Sequence, residues 1–237
     1  MSRVISWYSC GAASTIATKL VAEADPVYCE TGSEHPGNER YFSACEAWFG
    51  RSIRRLRSDD YTDTWDLWER RRWLAGPQGA LCTIELKVVL RLAFQRPDDI
   101  HVFGYTADGP DVKRAENLRA NFPELQIRTP LIERGVTKDA CLSMVEKAGL
   151  GLPPMYALGF QNNNCIPCVK ATSPAYWALI RKCFPDQFWR IAKLSRELGV
   201  RLCRLNGDRA FIDEIPEDHP TTIPLQPSCD FLCHLAE

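Results

Sequence analysis

No run of apolar residues in this sequence reaches the length of a membrane-spanning helix, so we expect no membrane span. An excess of charge of either sign is also missing, because 29 Lys and Arg residues stand against 30 Asp and Glu residues. The net charge of -1 excludes a general attraction to nucleic acid, and any basic surface must be local. Internal repeats and low-complexity segments are absent, which argues against a repeat architecture.

Cysteine, in contrast, is abundant, with 11 residues in a chain of 237. Residues 3–8 already have the pattern of a core strand, so we predict no signal peptide and a reducing, cytoplasmic location. In such a compartment paired cysteines more often indicate metal or redox chemistry than structural disulfides.

Two closely spaced pairs stand out, Cys165–Cys168 and Cys229–Cys233. Together they can supply four thiolates to one [4Fe–4S] cluster or, alternatively, to zinc. The competing interpretation is that cysteines are small buried apolar side chains. We prefer it for the isolated cysteines, which are Cys45, Cys82, Cys141, Cys183 and Cys203.

Apolar runs alternate with helical periodicities through the first two thirds of the chain. Strands are predicted at residues 3–8, 26–29, 53–57, 101–105 and 125–129, with helical segments between them. This pattern predicts an α/β fold with a parallel five-stranded sheet and helices on both faces, over residues 1–150. Residues 151–237 are predicted to form a helical C-terminal region that carries the four-cysteine site.

The segment Ser9-Cys-Gly-Ala-Ala-Ser14 directly follows the first predicted strand and opens a helix. Backbone N–H groups at such a turn point outward unpaired, and the helix dipole favours an anion. Gly11 allows a ligand to approach the backbone closely. The segment is neither a Walker loop nor a Rossmann fingerprint, and the simplest alternative is that Ser14 only caps the helix. We call it the phosphate loop.

The phosphate loop resembles the Ser-Gly-Gly-x-Asp-Ser loop of the PP-loop ATP pyrophosphatases, and more closely the loop of phosphoadenosine phosphosulfate (PAPS) reductases. Further segments are similar to that branch in the same order. They are Tyr28-Cys-Glu-Thr-Gly-Ser-Glu-His-Pro36, Gly104-Tyr-Thr-Ala-Asp-Gly-Pro-Asp-Val-Lys-Arg114, Pro130-Leu-Ile-Glu-Arg-Gly-Val-Thr-Lys138, and Pro153-Pro-Met-Tyr156 ahead of the first cysteine pair. The resemblance covers nearly the whole chain and implies a HUP/PP-loop-like fold.

The resemblance implies an adenine nucleotide, ATP or PAPS, as ligand. The residues it points to are Ser9, Cys10, Gly11, Ala12, Ser14, Thr31, Glu34, Lys113, Arg114 and Lys138. Ala12 and Ala13 stand where the ATP pyrophosphatases have a glycine and an aspartate, so a carboxylate that would help to position Mg²⁺ is missing. Nucleotide binding is less affected. Lys138 lies at a predicted helix start, where the dipole disfavours a cation unless an anion is near.

Three functions are compatible with these features. The leading one is a PAPS reductase-like enzyme for sulfur transfer or sulfonucleotide reduction, served by a thioredoxin-like reductant. In it Cys229 is the nucleophile if it is not a metal ligand. The second is ATP-dependent thiolation of nucleic acid, with the arginines between Arg51 and Arg72 as the contact surface. The third is a catalytically silent nucleotide-binding protein. Trp65, Trp68 and Trp73, which are interleaved with these arginines, are predicted to lie in the core.

Overall fold

Five short segments form the central sheet of the computed structural model, which describes residues 2–76 and 79–222. They are β1 Val4–Tyr8, β2 Asp25–Cys29, β3 Arg54–Leu56, β4 Ile100–Val102 and β5 Gln126–Arg128. The strand order is β3-β2-β1-β4-β5, and every neighbouring pair is parallel. Ile5 of β1 lies opposite both Asp25 and His101. The predicted parallel five-stranded sheet is therefore confirmed, in a Rossmann-like order.

The main helices follow the strands closely in sequence. They are α1 Ala12–Leu20, α2 Asn38–Phe49, α3 Thr64–Arg71, α4 Gly109–Asn121, α5 Lys138–Lys147, α6 Pro174–Cys183 and α7 Pro185–Glu197. Side-chain caps begin two of them. Asp63 accepts a hydrogen bond from the N–H of Asp66, and Thr137 accepts one from the N–H of Ala140. Such caps satisfy N–H groups that have no partner within the helix.

The helical segment after α3 differs from the regular helix that its spacing predicts. It consists of an α turn Leu81–Thr83, a π-helix Ile84–Val88 and a further α-helical part Val89–Phe94. A π-helix closes its hydrogen bonds over five residues instead of four and is frequent at functional sites. The smaller elements are the hairpins Ala75–Gly76 with Gly79–Ala80 and Cys203–Leu205 with Asp208–Ala210, the helices Pro130–Glu133 and Pro154–Ala157, and the 3₁₀ helix Ile212–Glu214.

Two large apolar clusters stabilise the fold. One lies around the sheet and includes Ile16 of α1 and Leu142 of α5. The other joins α3 to the C-terminal helices through Trp68, Trp177 and Phe188. The prediction that the interleaved tryptophans belong to the core is confirmed for Trp65 and Trp68 and wrong for Trp73, which follows the end of α3 and is 48% exposed. Because the second cluster spans the predicted boundary at residue 150, the C-terminal helices share their core with the segment that follows β3.

Candidate functional site

A cavity of about 670 Å³ opens at the carboxyl edge of the sheet. It is lined by the loops that follow β1 and β4, which include Ser9 and Gly104. Between these two strands the strand order reverses. In open parallel sheets ligands bind at this switch point, and sites for small molecules range over about 300–1,000 Å³. The cavity is therefore the candidate functional site.

Residues from both halves of the sequence that were predicted to bind nucleotide or metal line this cavity. They are Ser9, Gly11, Ser14, Thr31, Glu34, Arg114, Lys138, Cys165 and Cys168. Cys10 and Ala12, also predicted to bind nucleotide, have fully buried side chains beneath the phosphate loop, so only their backbone can contribute. Lys113 is exposed on α4 and is not part of the lining. Cys229 and Cys233 lie outside the described residues.

The phosphate loop is shaped by the hydroxyl of Ser14. This hydroxyl donates to the carbonyl of Gly11 at 2.9 Å and accepts from the N–H of Ser9 at 3.1 Å and the hydroxyl of Ser9 at 3.0 Å. Ser14 is buried, so its role is to hold the loop rather than to face a ligand. The N–H groups in the first turn of α1 have no intrahelical partner, and they are the donors that remain for an oxyanion.

The loop after β4 packs directly on the phosphate loop at Gly104. A Cβ atom at this position would lie 2.7 Å from the Cα and 2.8 Å from the N of Ser14. Real Cβ atoms do not approach backbone atoms so closely, so only glycine permits this contact. Gly104 therefore fixes the relative position of the two loops that form this edge of the cavity.

The two basic residues of the cavity that were predicted to bind nucleotide, Arg114 and Lys138, both donate hydrogen bonds to protein oxygens. The guanidinium of Arg114 donates to Asp111 at 2.7 Å. The ammonium of Lys138 donates to the carbonyl of Gln161 and, at 3.0 Å, to the side-chain oxygen of Asn162. Burial lowers the pKa of Lys138, although nearby carboxylates oppose this. Lys138 thus attaches α5 to the loop that leads to the first cysteine pair, and its contact with an anionic ligand stays a prediction.

Thr31 connects the segment after β2 to Cys165. The hydroxyl of Thr31 donates to a carboxylate oxygen of Glu34 at 2.7 Å and lies 2.9 Å from the sulfur of Cys165. A hydroxyl carries one hydrogen, so in the second contact the thiol is the donor. Burial raises the pKa of Cys165 to about 12, against the opposing effect of the Lys87 ammonium. Cys165 therefore rests as a neutral thiol.

Sequence reasoning missed Lys87 and Cys82, which both line the cavity near the first cysteine pair. Enclosure by the cavity walls lowers the pKa of the Lys87 ammonium, and Cys165 and Glu34 raise it by more, so the net direction is upward. Of the isolated cysteines predicted to be buried, Cys82 and Cys183 are only partly buried, whereas the prediction is confirmed for Cys45, Cys141 and Cys203. The π-helix at residues 84–88 distorts the helical segment between Cys82 and Lys87. A regular helical period in the sequence gives no sign of this distortion.

The described cysteines provide half of the predicted four-cysteine centre. Cys165 and Cys168 both face the cavity as free thiols. Over residues 2–76 and 79–222, no three His, Cys, Asp or Glu side chains form a group able to hold a metal ion. These residues do not by themselves fit a cluster or a structural zinc ion, which need four ligands. The centre therefore stays a prediction that depends on Cys229 and Cys233.

Asn163 is a second residue whose position only the fold reveals. Its side-chain amide donates to the carbonyl of Cys10 at 2.7 Å and to the side chain of Asn38 at 3.0 Å. The sequence marks residues 162–164 only as a polar loop with amides that can serve cluster sulfurs. In the structure this amide is committed to the phosphate loop instead.

Comparison with known proteins found no matching family model, no matching curated protein and no matching solved structure. Among the helices of the described residues, none has both the length and the apolar character needed to cross a membrane.

Proposed function

We propose that this protein is an adenine-nucleotide-binding enzyme that carries out sulfur transfer or sulfonucleotide reduction, as the PAPS reductases that its motifs resemble do. One observation carries the proposal. The phosphate loop and the Cys165–Cys168 pair, more than 150 residues apart in sequence, line the same cavity at the switch point of the sheet. A nucleotide held at the loop thereby shares an enclosed space with two thiols.

The phosphate-loop end of the cavity supports binding of a phosphate group. The first turn of α1 offers N–H groups and the positive end of its dipole, beside the side chain of Ser9 that lines the cavity. Ala13 also lines the cavity, so no carboxylate stands at this point of the loop. This favours a bound phosphate group over a Mg²⁺-dependent cleavage of ATP within the phosphate loop.

The opposite end supports sulfur chemistry. Cys165 and Cys168 are free thiols, and Lys87 lies beside them with a pKa raised by the negative charge around it. A cation in this position stabilises a thiolate, which is the nucleophilic form of cysteine. We propose that a thiolate here attacks the sulfur of the sulfonucleotide, so that an S–S bond forms, the S–O bond to the phosphate breaks and the adenosine phosphate leaves. The second thiol of the pair then displaces sulfite and forms a disulfide, which an external dithiol of the thioredoxin type reduces.

Product analysis tests this function. Purified full-length protein is incubated anaerobically with PAPS and a dithiol reductant, and in parallel with ATP. The reductase proposal expects sulfite from PAPS and no pyrophosphate from ATP. Cys165→Ser abolishes sulfite release, whereas Cys183→Ser, a cysteine outside the cavity lining, leaves it unchanged. Pyrophosphate release would instead support thiolation, and nucleotide binding without either product would support the silent alternative.

Nucleic-acid thiolation receives less support from the surface. Most arginines of the region from Arg51 to Arg72 are paired with carboxylates. The ion pairs are Arg55–Glu39, Arg57–Glu30, Arg70–Asp66, Arg71–Glu85 and Arg72–Glu197. Each pair would have to be broken or shared before the arginine could neutralise a nucleic-acid phosphate. The region is therefore close to neutral rather than strongly basic.

An iron–sulfur or zinc centre is the alternative role that we propose for the same two cysteines, since a thiolate that ligates a metal is not free to react with the nucleotide. The hydroxyl of Thr222, the last described residue, donates to the carbonyl of Gly159 at 2.9 Å, and Gln161 already lines the cavity. Cys229 follows seven residues later in the sequence. Seven residues span at most roughly 25 Å, which is the reach that Cys229 has from Thr222.

A further inference from the structure

The side chain of Asn163 uses all of its close hydrogen bonds to join separate parts of the cavity wall. Its two N–H bonds go to the carbonyl of Cys10 at 2.7 Å and to the buried side chain of Asn38 at 3.0 Å. Its oxygen accepts from the N–H of Met155 at 3.4 Å. One amide thus connects the phosphate loop, the start of α2 and the helix 154–157 to the loop that carries Cys165.

The carbonyl that Asn163 holds belongs to the most constrained peptide of the phosphate loop. Cys10 has a φ of +58°, which a residue with a side chain rarely adopts. The N–H of Gly11 belongs to the same peptide group and donates to the hydroxyl of Ser14 at 3.3 Å. Because a peptide group is rigid and planar, fixing its oxygen also fixes the direction of its N–H. Asn163 therefore determines the shape of the turn that would receive an oxyanion.

Cys165 lies only two residues further along the chain, so a shift of Asn163 is passed on to it over at most about 7 Å of backbone. The loop has a second attachment beside Cys165, where the N–H of Ile166 donates to the carbonyl of Ser33 at 2.8 Å. Cys165 is therefore placed between a contact to the phosphate loop and a contact to the segment after β2.

We propose that Asn163 is a positioning residue that couples occupation of the phosphate loop to the exposure and orientation of the Cys165 thiol. This coupling rests on the proposed function, because it concerns the same cavity. An anion bound at the first turn of α1 displaces the Cys10–Gly11 peptide, and Asn163 transmits that displacement to the cysteine loop. By linkage the coupling is reciprocal, so modification of Cys165 also changes the affinity of the phosphate loop.

Inorganic phosphate is the appropriate probe, because it can occupy the phosphate loop without filling the space around Cys165. The rate at which a small haloacetamide alkylates Cys165 is measured on full-length, chelator-treated protein at one pH, with and without phosphate, and the site is identified by peptide mass mapping. In the wild type we expect phosphate to change this rate at least about fivefold, the lower end of typical coupling between sites. Calorimetry on alkylated protein checks that modification of Cys165 changes the affinity for phosphate.

Asn163→Ala is expected to bind phosphate and to lose the coupling in both measurements. Asn164→Ala, at the exposed neighbouring position, retains it. Asn163→Gln keeps an amide one methylene further out and carries the test if the alanine variant does not fold. Equal coupling in the wild type and in a folded Asn163 variant overturns the proposal. So does a wild type in which phosphate does not bind or leaves the alkylation rate unchanged, or in which Cys165 resists alkylation after chelation.

The two proposals fail in different ways. Coupling by phosphate in a protein that binds no adenine nucleotide would leave the role of Asn163 intact and remove the proposed function. Nucleotide turnover that is unchanged in Asn163→Ala, together with unchanged coupling, would remove the role of Asn163 and leave the function.

Discussion

At the scale of single residues, Gly11 is a position where any side chain would project into the cavity. A Cβ atom added there would meet the hydroxyl of Tyr156 at 3.6 Å and the hydroxyl of Ser9 at 3.7 Å, which are ordinary contact distances. The backbone of Gly11 is extended, with φ of -111°, so alanine fits without strain. The added methyl group would therefore lie in the cavity, beside the donors that a phosphate group needs.

Gly11→Ala is expected to weaken nucleotide binding about tenfold, an energy of about 1.4 kcal/mol, because the methyl group occupies ligand space. The free energy of unfolding stays within about 1 kcal/mol of the wild type, since loss of glycine flexibility and a poorer helix cap oppose each other. Calorimetric titration and urea denaturation measure the two quantities. Gly109→Ala, where no atom lies within 4 Å, is the matched control and changes neither. Unaltered affinity in Gly11→Ala would argue against a ligand at this loop.

Lys87 acts at the same scale through its charge. Its ammonium opposes the rise that burial causes in the pKa of Cys165. Lys87→Met is therefore expected to raise that pKa further, so that alkylation of Cys165 slows at neutral pH and its pH profile moves to higher pH. A pKa higher by one corresponds to about 1.4 kcal/mol and to a roughly tenfold smaller thiolate fraction at neutral pH. Lys113→Met removes a lysine outside the cavity lining and should leave the profile in place.

At the scale of elements, the central strands are joined at their starts by an ion pair. Arg3, which precedes β1, donates to both oxygens of Asp99, which precedes β4, at 2.9 Å and 2.6 Å. The carboxylate also accepts from the N–H of Arg96 at 2.7 Å. Burial would raise the pKa of Asp99, but the hydrogen bonds from Arg3 and Arg96 lower it by more, and the net direction is downward.

A carboxylate with a lowered pKa stabilises the fold above its unfolded pKa, which is about 3.9 for aspartate, and loses this effect as pH falls through the lower folded value. Asp99→Asn is expected to reduce the free energy of unfolding by about 3 kcal/mol at pH 7, since it leaves Arg3 without its charge partner. The difference from the wild type should begin to shrink below about pH 4, where the unfolded chain takes up a proton at Asp99, and it disappears once pH falls below the lowered folded pKa. Denaturant unfolding at pH 7 and pH 3 gives the comparison. A difference that does not depend on pH would show that shape, not charge, is what Asp99 supplies.

At the scale of the whole molecule, the chain folds back so that its C-terminal half completes a site begun by its first strand. The loop with Cys165 reaches the phosphate loop through Asn163, α5 through Lys138 and the segment after β2 through Ile166. The shared cluster around Trp68 and Trp177 fixes the C-terminal helices against α3. The cavity therefore depends on contacts between segments that are far apart in sequence.

Metal analysis tests whether Cys229 and Cys233 join Cys165 and Cys168 in one centre. If one centre is built by all four predicted cysteines, anaerobically purified protein is brown and contains iron and sulfide, or is colourless and contains zinc. Cys168→Ala and Cys229→Ser then both lose the metal, because each removes one of four ligands. Cys183→Ser, which changes a cysteine outside the cavity lining, retains it. Wild-type protein without metal would leave Cys165 and Cys168 as a pair of thiols.

Prediction from the sequence succeeded where local pattern decides the structure. The alternation of short apolar segments with helical spacing predicted the parallel sheet, and the phosphate loop follows β1 directly. It failed where a residue acts through distant partners. Cys82 was assigned to the core because an isolated cysteine has no pattern. Lys87 and Asn163 were not recognised because the partners that give them a role in the cavity, Glu34 and Cys165 for Lys87 and Cys10 for Asn163, are far away in the chain.

The succession of strands and helices along the chain and the position of the phosphate loop after β1 were thus determined by the sequence itself, because periodicity and turn residues act over a few neighbouring positions. Which side chains meet in the cavity was decided only by the tertiary structure. Gly104 against Ser14, Thr31 beside Cys165 and Asn163 on Cys10 are contacts between segments whose distance apart no local rule encodes. The physical reason is that packing of the two apolar clusters, not local propensity, sets where these segments come together.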